Sequence, residues 1–120
     1  SIKDNEIKKV TKDHSWVQEL IDAGAITEEE GRVHPKKNII TRALGTNSSV
    51  KIDIFNIDKS ESSMFLLCSD GLSNEVRKEE MIEIVNKCKD FNEACEKLVD
   101  LAKSRWGKDN ITVLLFGGEL

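Results

Sequence analysis

The chain has 120 residues, of which 38% are hydrophobic and 33% charged, enough for one small domain with one core and no more. Its net charge of −4, with lysines scattered among acids, leaves no electrostatic footprint for nucleic acid. The apolar runs are far too short to span a bilayer, and the polar, charged N-terminus carries no visible signal peptide.

In chain order, the first stretch is SIKDNEIKKVT, where Asp4-Asn5 sits between short alternating segments. It predicts a hairpin tip whose first strand is cut short at Ser1, a first hint of a larger whole. Ser15 with Gln18 three residues on forms a capping box for a helix bearing Trp16, Val17, Leu20 and Ile21 as its apolar stripe, and Gly24 is its natural stop. Thr27 with Glu30 starts a second, shorter helix. GRVHPKKN follows as a loop, because the residue before Pro35 is pushed out of helical space. After the apolar stretch IITRALG, the alternation of Val50, Ile52 and Ile54 with Lys51 and Asp53 predicts a half-exposed strand. A turn at ESS leads into a strand from Met64 to Ser69, apolar enough to read as buried on both faces. Two helices come next. Met81, Ile82, Val85 and Cys88 share one face of the first. The second is capped by Asp90 with Glu93, carries Phe91, Ala94, Cys95, Leu98, Val99 and Ala102 as its stripe, and ends at Gly107. NITVLLF closes the chain as another buried strand. Helices layered on a sheet are the natural way to cover these faces.

Cys68, Cys88 and Cys95 are an odd set without CxxC spacing, so buried reduced thiols in a reducing, cytoplasmic setting are expected rather than disulfides or zinc. His14, His34, Cys88 and Cys95 together also lack zinc spacing. Two acids stand out instead. Asp70 follows one apolar strand and Asp109 precedes the other. If those strands are antiparallel neighbours, both carboxylates emerge at one sheet edge. Oxygen-only ligands without His or Cys suit a hard cation, Mg²⁺ or Mn²⁺. Asp-Gly and Asp-Asn taken singly are turns more often than ligands. What favours a metal is the pair, each member abutting an apolar strand.

These residues also carry a family resemblance. LLCSDGLSN and GKDNITVLLF resemble the two C-terminal metal-binding motifs of the metal-dependent, protein phosphatase 2C type phosphatases. VTKDHSWVQELIDAGAITEEEGRVHPKKNIITRALG resembles the flap of the bacterial members. The resemblance implies an α+β fold, the C-terminal half of an α-β-β-α sandwich with mainly antiparallel strands flanked by helices. Residues 11–45 would be the flap-like segment and 46–120 the metal-site half. It implies hydrolysis of phosphoserine and phosphothreonine in proteins by a metal-bridging hydroxide at a binuclear Mn²⁺ or Mg²⁺ site, with Asp70 and Asp109 as metal ligands. Gly71 would permit the tight turn behind Asp70, and Asn110 would support the second turn. The partners implied are a phosphoprotein substrate and a cognate serine/threonine kinase, with no nucleic acid and no membrane.

The family's N-terminal half supplies an Asp-Gly pair, a phosphate-binding arginine and a general-acid histidine, and no DGxGG or GDSR occurs here. The chain therefore reads as a C-terminal piece. Alone it is expected to bind the cation weakly, to turn over little or no phosphate ester, and, through exposed edges and apolar faces, to dimerise, swap or be partly disordered, above all in residues 11–45. The alternative function is a non-catalytic, phosphatase-like interaction module. His34 and Arg42 are candidate flap or substrate contacts, weighed against a solvent-facing loop histidine and an arginine paired with a nearby acid. His14 reads only as a helix-entry residue. Ser69 has no histidine base in a matching position, so a serine nucleophile is not expected.

Overall fold

The structure is a computed structural model and describes residues 1–57, 64–105 and 109–117. The expected turn at ESS and the stop at Gly107 lie outside those residues. The chain divides into two compact units, residues 1–9 with 57–120, and residues 10–56.

The first unit holds a mixed helix and sheet arrangement, α+β as expected. Strands β1 (Ile2–Lys3) and β2 (Glu6–Ile7) form the hairpin, and Asp4 and Asn5 at its tip have φ of 48° and 65°. Two consecutive left-handed residues define a tight hairpin turn, and Asp and Asn tolerate that region better than most side chains. The Asn86 side-chain amide donates to the Asn5 side-chain oxygen and ties this tip down. Strands β3 (Met64–Cys68) and β4 (Val113–Gly117) complete an antiparallel sheet in the order β2-β1-β3-β4. Register runs from Met64↔Gly117 to Cys68↔Val113, so the end of β3 meets the start of β4.

Three helices of this unit lie between those strands in sequence. The short α1 (Asp70–Ser73) follows β3 directly, then α2 (Lys78–Lys87) and α3 (Phe91–Ser104). Asp90 caps α3 by accepting the Glu93 N–H at 2.8 Å, while the Glu93 carboxylate accepts the Lys89 N–H at 3.0 Å. Ala94, Leu98 and Ala102 recur every four residues along α3 and are fully buried. One core cluster joins Ile2, Met64, Val85, Cys88, Ala94 and Leu115. The other joins Leu72, Val76, Met81, Leu98 and Ala102.

Among the described residues, helices cover only one face of β3 and β4. On the other face the cross-strand pairs Phe65↔Phe116 and Leu67↔Leu114 are open, with Leu67 53%, Leu114 55% and Phe116 44% exposed. Phe65 and Phe116 stack with centroids 5.3 Å apart. The expectation of strands buried on both faces is thus corrected. Apolar composition marks both faces as capable of burial, and only one has a cover among the described residues. Cys68, at the strand end, is exposed rather than buried; Cys95 is half-buried and Cys88 buried, as expected of a core thiol.

In the second unit, α4 (Trp16–Asp22) and α5 (Glu28–Arg32) start where the caps predict. Ser15 Oγ accepts the Gln18 N–H at 3.1 Å and Thr27 Oγ1 accepts the Glu30 N–H at 3.1 Å. Gly24 ends the first of these helices with φ of 74°. The expected strand over 50–54 is absent, and the polarity of that segment is inverted. Ile52 and Ile54 are 76% and 84% exposed, whereas Asp53 faces inward onto His14 and Arg42. Alternation identifies two faces; here the ion pairs decide which one turns in.

Candidate metal centre

Asp70 is the first residue of α1, and its neighbours explain how it is held. Leu72 and Val76 bury their side chains against Leu98 and Ala102, a contribution of about 2 kcal/mol per residue. The segment after Asp109 is anchored in the same place, since Ile111 and Val113 pack on that cluster. Both acid-bearing segments are therefore fastened to one patch of core.

They also touch directly. Ser69 Oγ donates to the Asn110 carbonyl at 3.1 Å and accepts the Thr112 N–H at 3.0 Å. A Cβ on residue 71 would stand 2.2 Å from the Asn110 carbonyl oxygen. Gly71 lies within a right-handed helical turn, so the need for glycine is this close approach rather than the unusual backbone conformation that a tight turn would demand. Asp109 Oδ1 accepts the N–H of Asn110, the next residue, at 2.8 Å, which holds the carboxylate against its own backbone. Both carboxylates lie in exposed positions.

The other two candidate residues belong to the second unit. His34 is half-buried, not solvent-facing. Its ring meets Trp16 edge-on at 5.4 Å, and Nδ1 accepts the Lys36 N–H at 3.0 Å. Arg42 pairs with Asp53 at 3.0 Å and donates to the Lys51 carbonyl at 3.2 Å. His14 Nε2 lies 2.8 Å from the same Asp53 carboxylate, so His14 does more than open a helix. The hydrogen bond with His14, followed by that from Arg42, holds the Asp53 carboxyl below the usual carboxylate range. Residues that sequence reasoning passed over here are Asp53 and His14, whose pairing across 39 positions has no local signal. Ser69, expected only as the last residue of an apolar strand, spends its hydroxyl across the sheet, a use with no local signal.

A family model described as Protein phosphatase 2C matches residues 1–111. The chain belongs to the protein phosphatase 2C family. It is 40% identical over 119 residues to Serine/threonine phosphatase stp of Listeria monocytogenes serotype 4b, covering 99% of this chain and 47% of that relative. The crystal structure of Serine/threonine phosphatase Stp1 from Staphylococcus aureus is similar at a TM-score of 0.85 and 32% identity, over 99% of this chain and 47% of that one. The catalytic domain of serine threonine protein phosphatase PstP, solved in complex with 2 manganese ions, is similar at a TM-score of 0.73 and 34% identity, over 94% of this chain and 46% of that one. The chain spans about half the length of the curated relatives it matches.

In this protein phosphatase 2C chain the donor chemistry fits a hard cation. Asp70 and Asp109 offer carboxylate oxygens, and the Gly71–Asn110 contact brings their segments together. They fit as a partial set. Among the described residues no group of three or more His, Cys, Asp or Glu is arranged to hold a metal ion, and a hard cation takes about six or more oxygens. Among the described residues, no helix of this protein phosphatase 2C chain is long and apolar enough to cross a membrane.

Proposed function

We propose that the chain contributes Asp70 and Asp109 as ligands to a binuclear Mn²⁺ or Mg²⁺ site in a phosphatase acting on phosphoserine and phosphothreonine in proteins. The observation that carries this reading is the convergence of the two acid-bearing segments, through Ser69 and Gly71, on the backbone of Asn110. The two manganese ions in the related PstP structure support the choice of metal. When bound, the cations would supply an activated water and offset charge on the transferring phosphoryl group. The chain's own residues do the holding. Leu72 and Ile111 anchor the two segments, Gly71 permits their contact, and Asn110 orients Asp109. With only part of a ligand shell, the 120-residue chain alone is inactive. The same reading carries a phosphoprotein substrate, a serine/threonine kinase acting on that substrate, and a cytoplasmic setting.

A second reading, a non-catalytic interaction module, rests on the uncovered apolar face of β3 and β4. Titration of the chain with Mn²⁺, followed by broadening of its amide NMR signals, separates the two. The metal reading expects broadening centred on residues 70 and 109 that Asp70→Asn or Asp109→Asn abolishes. Absence of any such broadening at millimolar Mn²⁺ favours the module. Manganese-dependent hydrolysis of p-nitrophenyl phosphate by the pure chain, lost in Asp70→Asn, would overturn the statement that it is inactive alone.

A further inference from the structure

Ser69 ends one element and begins another, and its hydroxyl is used in an unexpected direction. The pair after Cys68↔Val113 in the antiparallel ladder is Ser69 with Thr112. A hydrogen-bonded pair of this kind exchanges two backbone bonds. One is present, from the Ser69 N–H to the Thr112 carbonyl at 3.0 Å. The Ser69 carbonyl does not make the other, because it accepts the Leu72 N–H at 3.1 Å and so opens α1. Ser69 Oγ takes its place and accepts the Thr112 N–H at 3.0 Å. The same oxygen donates its proton to the Asn110 carbonyl at 3.1 Å.

A serine at a helix N-cap ordinarily accepts from an amide of the first turn. Ser69 makes no side-chain cap bond to α1. Its hydroxyl is diverted wholly to the opposite strand, where it bonds the backbone of Asn110 and Thr112, one and three residues after Asp109. On the other side of Asp70, Gly71 abuts that same Asn110 carbonyl. Asp70 is thus flanked by two residues that both bear on the residue after Asp109.

We infer that Ser69 is a positioning residue, whose hydroxyl extends the β3–β4 ladder by one rung and sets the placement of Asp109 relative to Asp70. It touches neither cation nor substrate. The inference rests on the metal reading for its consequence, but its geometry stands independently. An outer-shell partner of this sort tunes metal affinity by about tenfold or more.

The test compares wild type with Ser69→Ala, Ser69→Thr and Asp70→Asn in the same 120-residue chain, by Mn²⁺ titration and by exchange of the Thr112 amide. Ser69→Ala is expected to weaken Mn²⁺ binding about tenfold and to speed Thr112 exchange, and Ser69→Thr, which keeps the hydroxyl, to restore both. Loss of thermal stability alone, with Mn²⁺ affinity of the folded chain unchanged, would mark a merely structural serine and overturn the inference. If Asp70→Asn leaves Mn²⁺ binding as in wild type, the metal reading fails. The rung is then decided by the amide: exchange that is equal in wild type and Ser69→Ala overturns it, and faster exchange reversed by Ser69→Thr supports it.

Discussion

The carbonyl oxygen of Asn110 occupies the space that a side chain on residue 71 would need, with an ideal Cβ only 2.2 Å from it and 3.0 Å from the carbonyl carbon. The obstacle is backbone, tied to the end of β3 through the Ser69 hydroxyl, so it has little freedom to give way. Gly71→Ala is therefore expected to destabilise the chain by about 1–3 kcal/mol and to separate the two acid-bearing segments. Urea unfolding measures the first effect. An alanine variant as stable as wild type would mean that the two segments are not in contact in solution.

Leu98 is fully buried where α3 meets both Leu72 and the Ile111–Val113 segment. Leu98→Ala removes the floor under both acids at once. The expected cost is about 2–5 kcal/mol, with faster hydrogen exchange around Asp70 and Asn110 than in the β1–β2 hairpin. Exchange that rises equally everywhere would show that the cluster does not single out the site.

The Glu80 carboxyl is lowered to about 2, against an ordinary 4.5, chiefly through the Arg105 guanidinium and secondly through the Arg77 N–H. Arg105 reaches it with two nitrogens, at 2.5 and 2.7 Å, and also donates to the Glu75 carbonyl at 3.1 Å. Because the folded-state value is depressed, this carboxylate's contribution is complete above pH 4.5 and fades as pH falls towards 2. Glu80→Gln is expected to be modestly less stable than wild type at neutral pH, since the pair is partly open to solvent, and the difference should shrink on acidification. A gap that is constant from pH 7 to pH 2 would remove the ion pair from the account.

Leu67, Leu114 and Phe116 make the open sheet face adhesive. Self-association of the chain is expected to rise with concentration, and Leu67→Lys to shift it towards monomer in light scattering. A wild-type chain that stays monomeric at high concentration would refute this.

Much of this fold is written locally. Ser15, Thr27 and Asp90 start their helices because a short oxygen-bearing side chain meets an orphan amide, and Asp4-Asn5 turns because both accept left-handed backbone. The antiparallel placement of β3 against β4, which brings Asp70 and Asp109 to one edge, also follows from two apolar runs and the helices that return the chain. What escapes the sequence is non-local. Nothing near His14 announces Asp53, and nothing in an apolar pentapeptide says which of its faces will find a cover. Gly71 shows the limit from another side. Its glycine is readable, but the reason for it stands on a different strand.

The His14–Asp53–Arg42 contacts have a mechanical corollary. They join points 39 residues apart, beside the short bridge between Ser15 and Ile40, so the intervening chain is closed into a ring without any covalent link. Closing a loop of that length removes freedom from its whole contour rather than from its ends alone. Such a ring has two fasteners. A single cut inside it leaves both fragments held, and neutralising Asp53 releases the outer one while the backbone bridge from Ser15 to Ile40 stays closed.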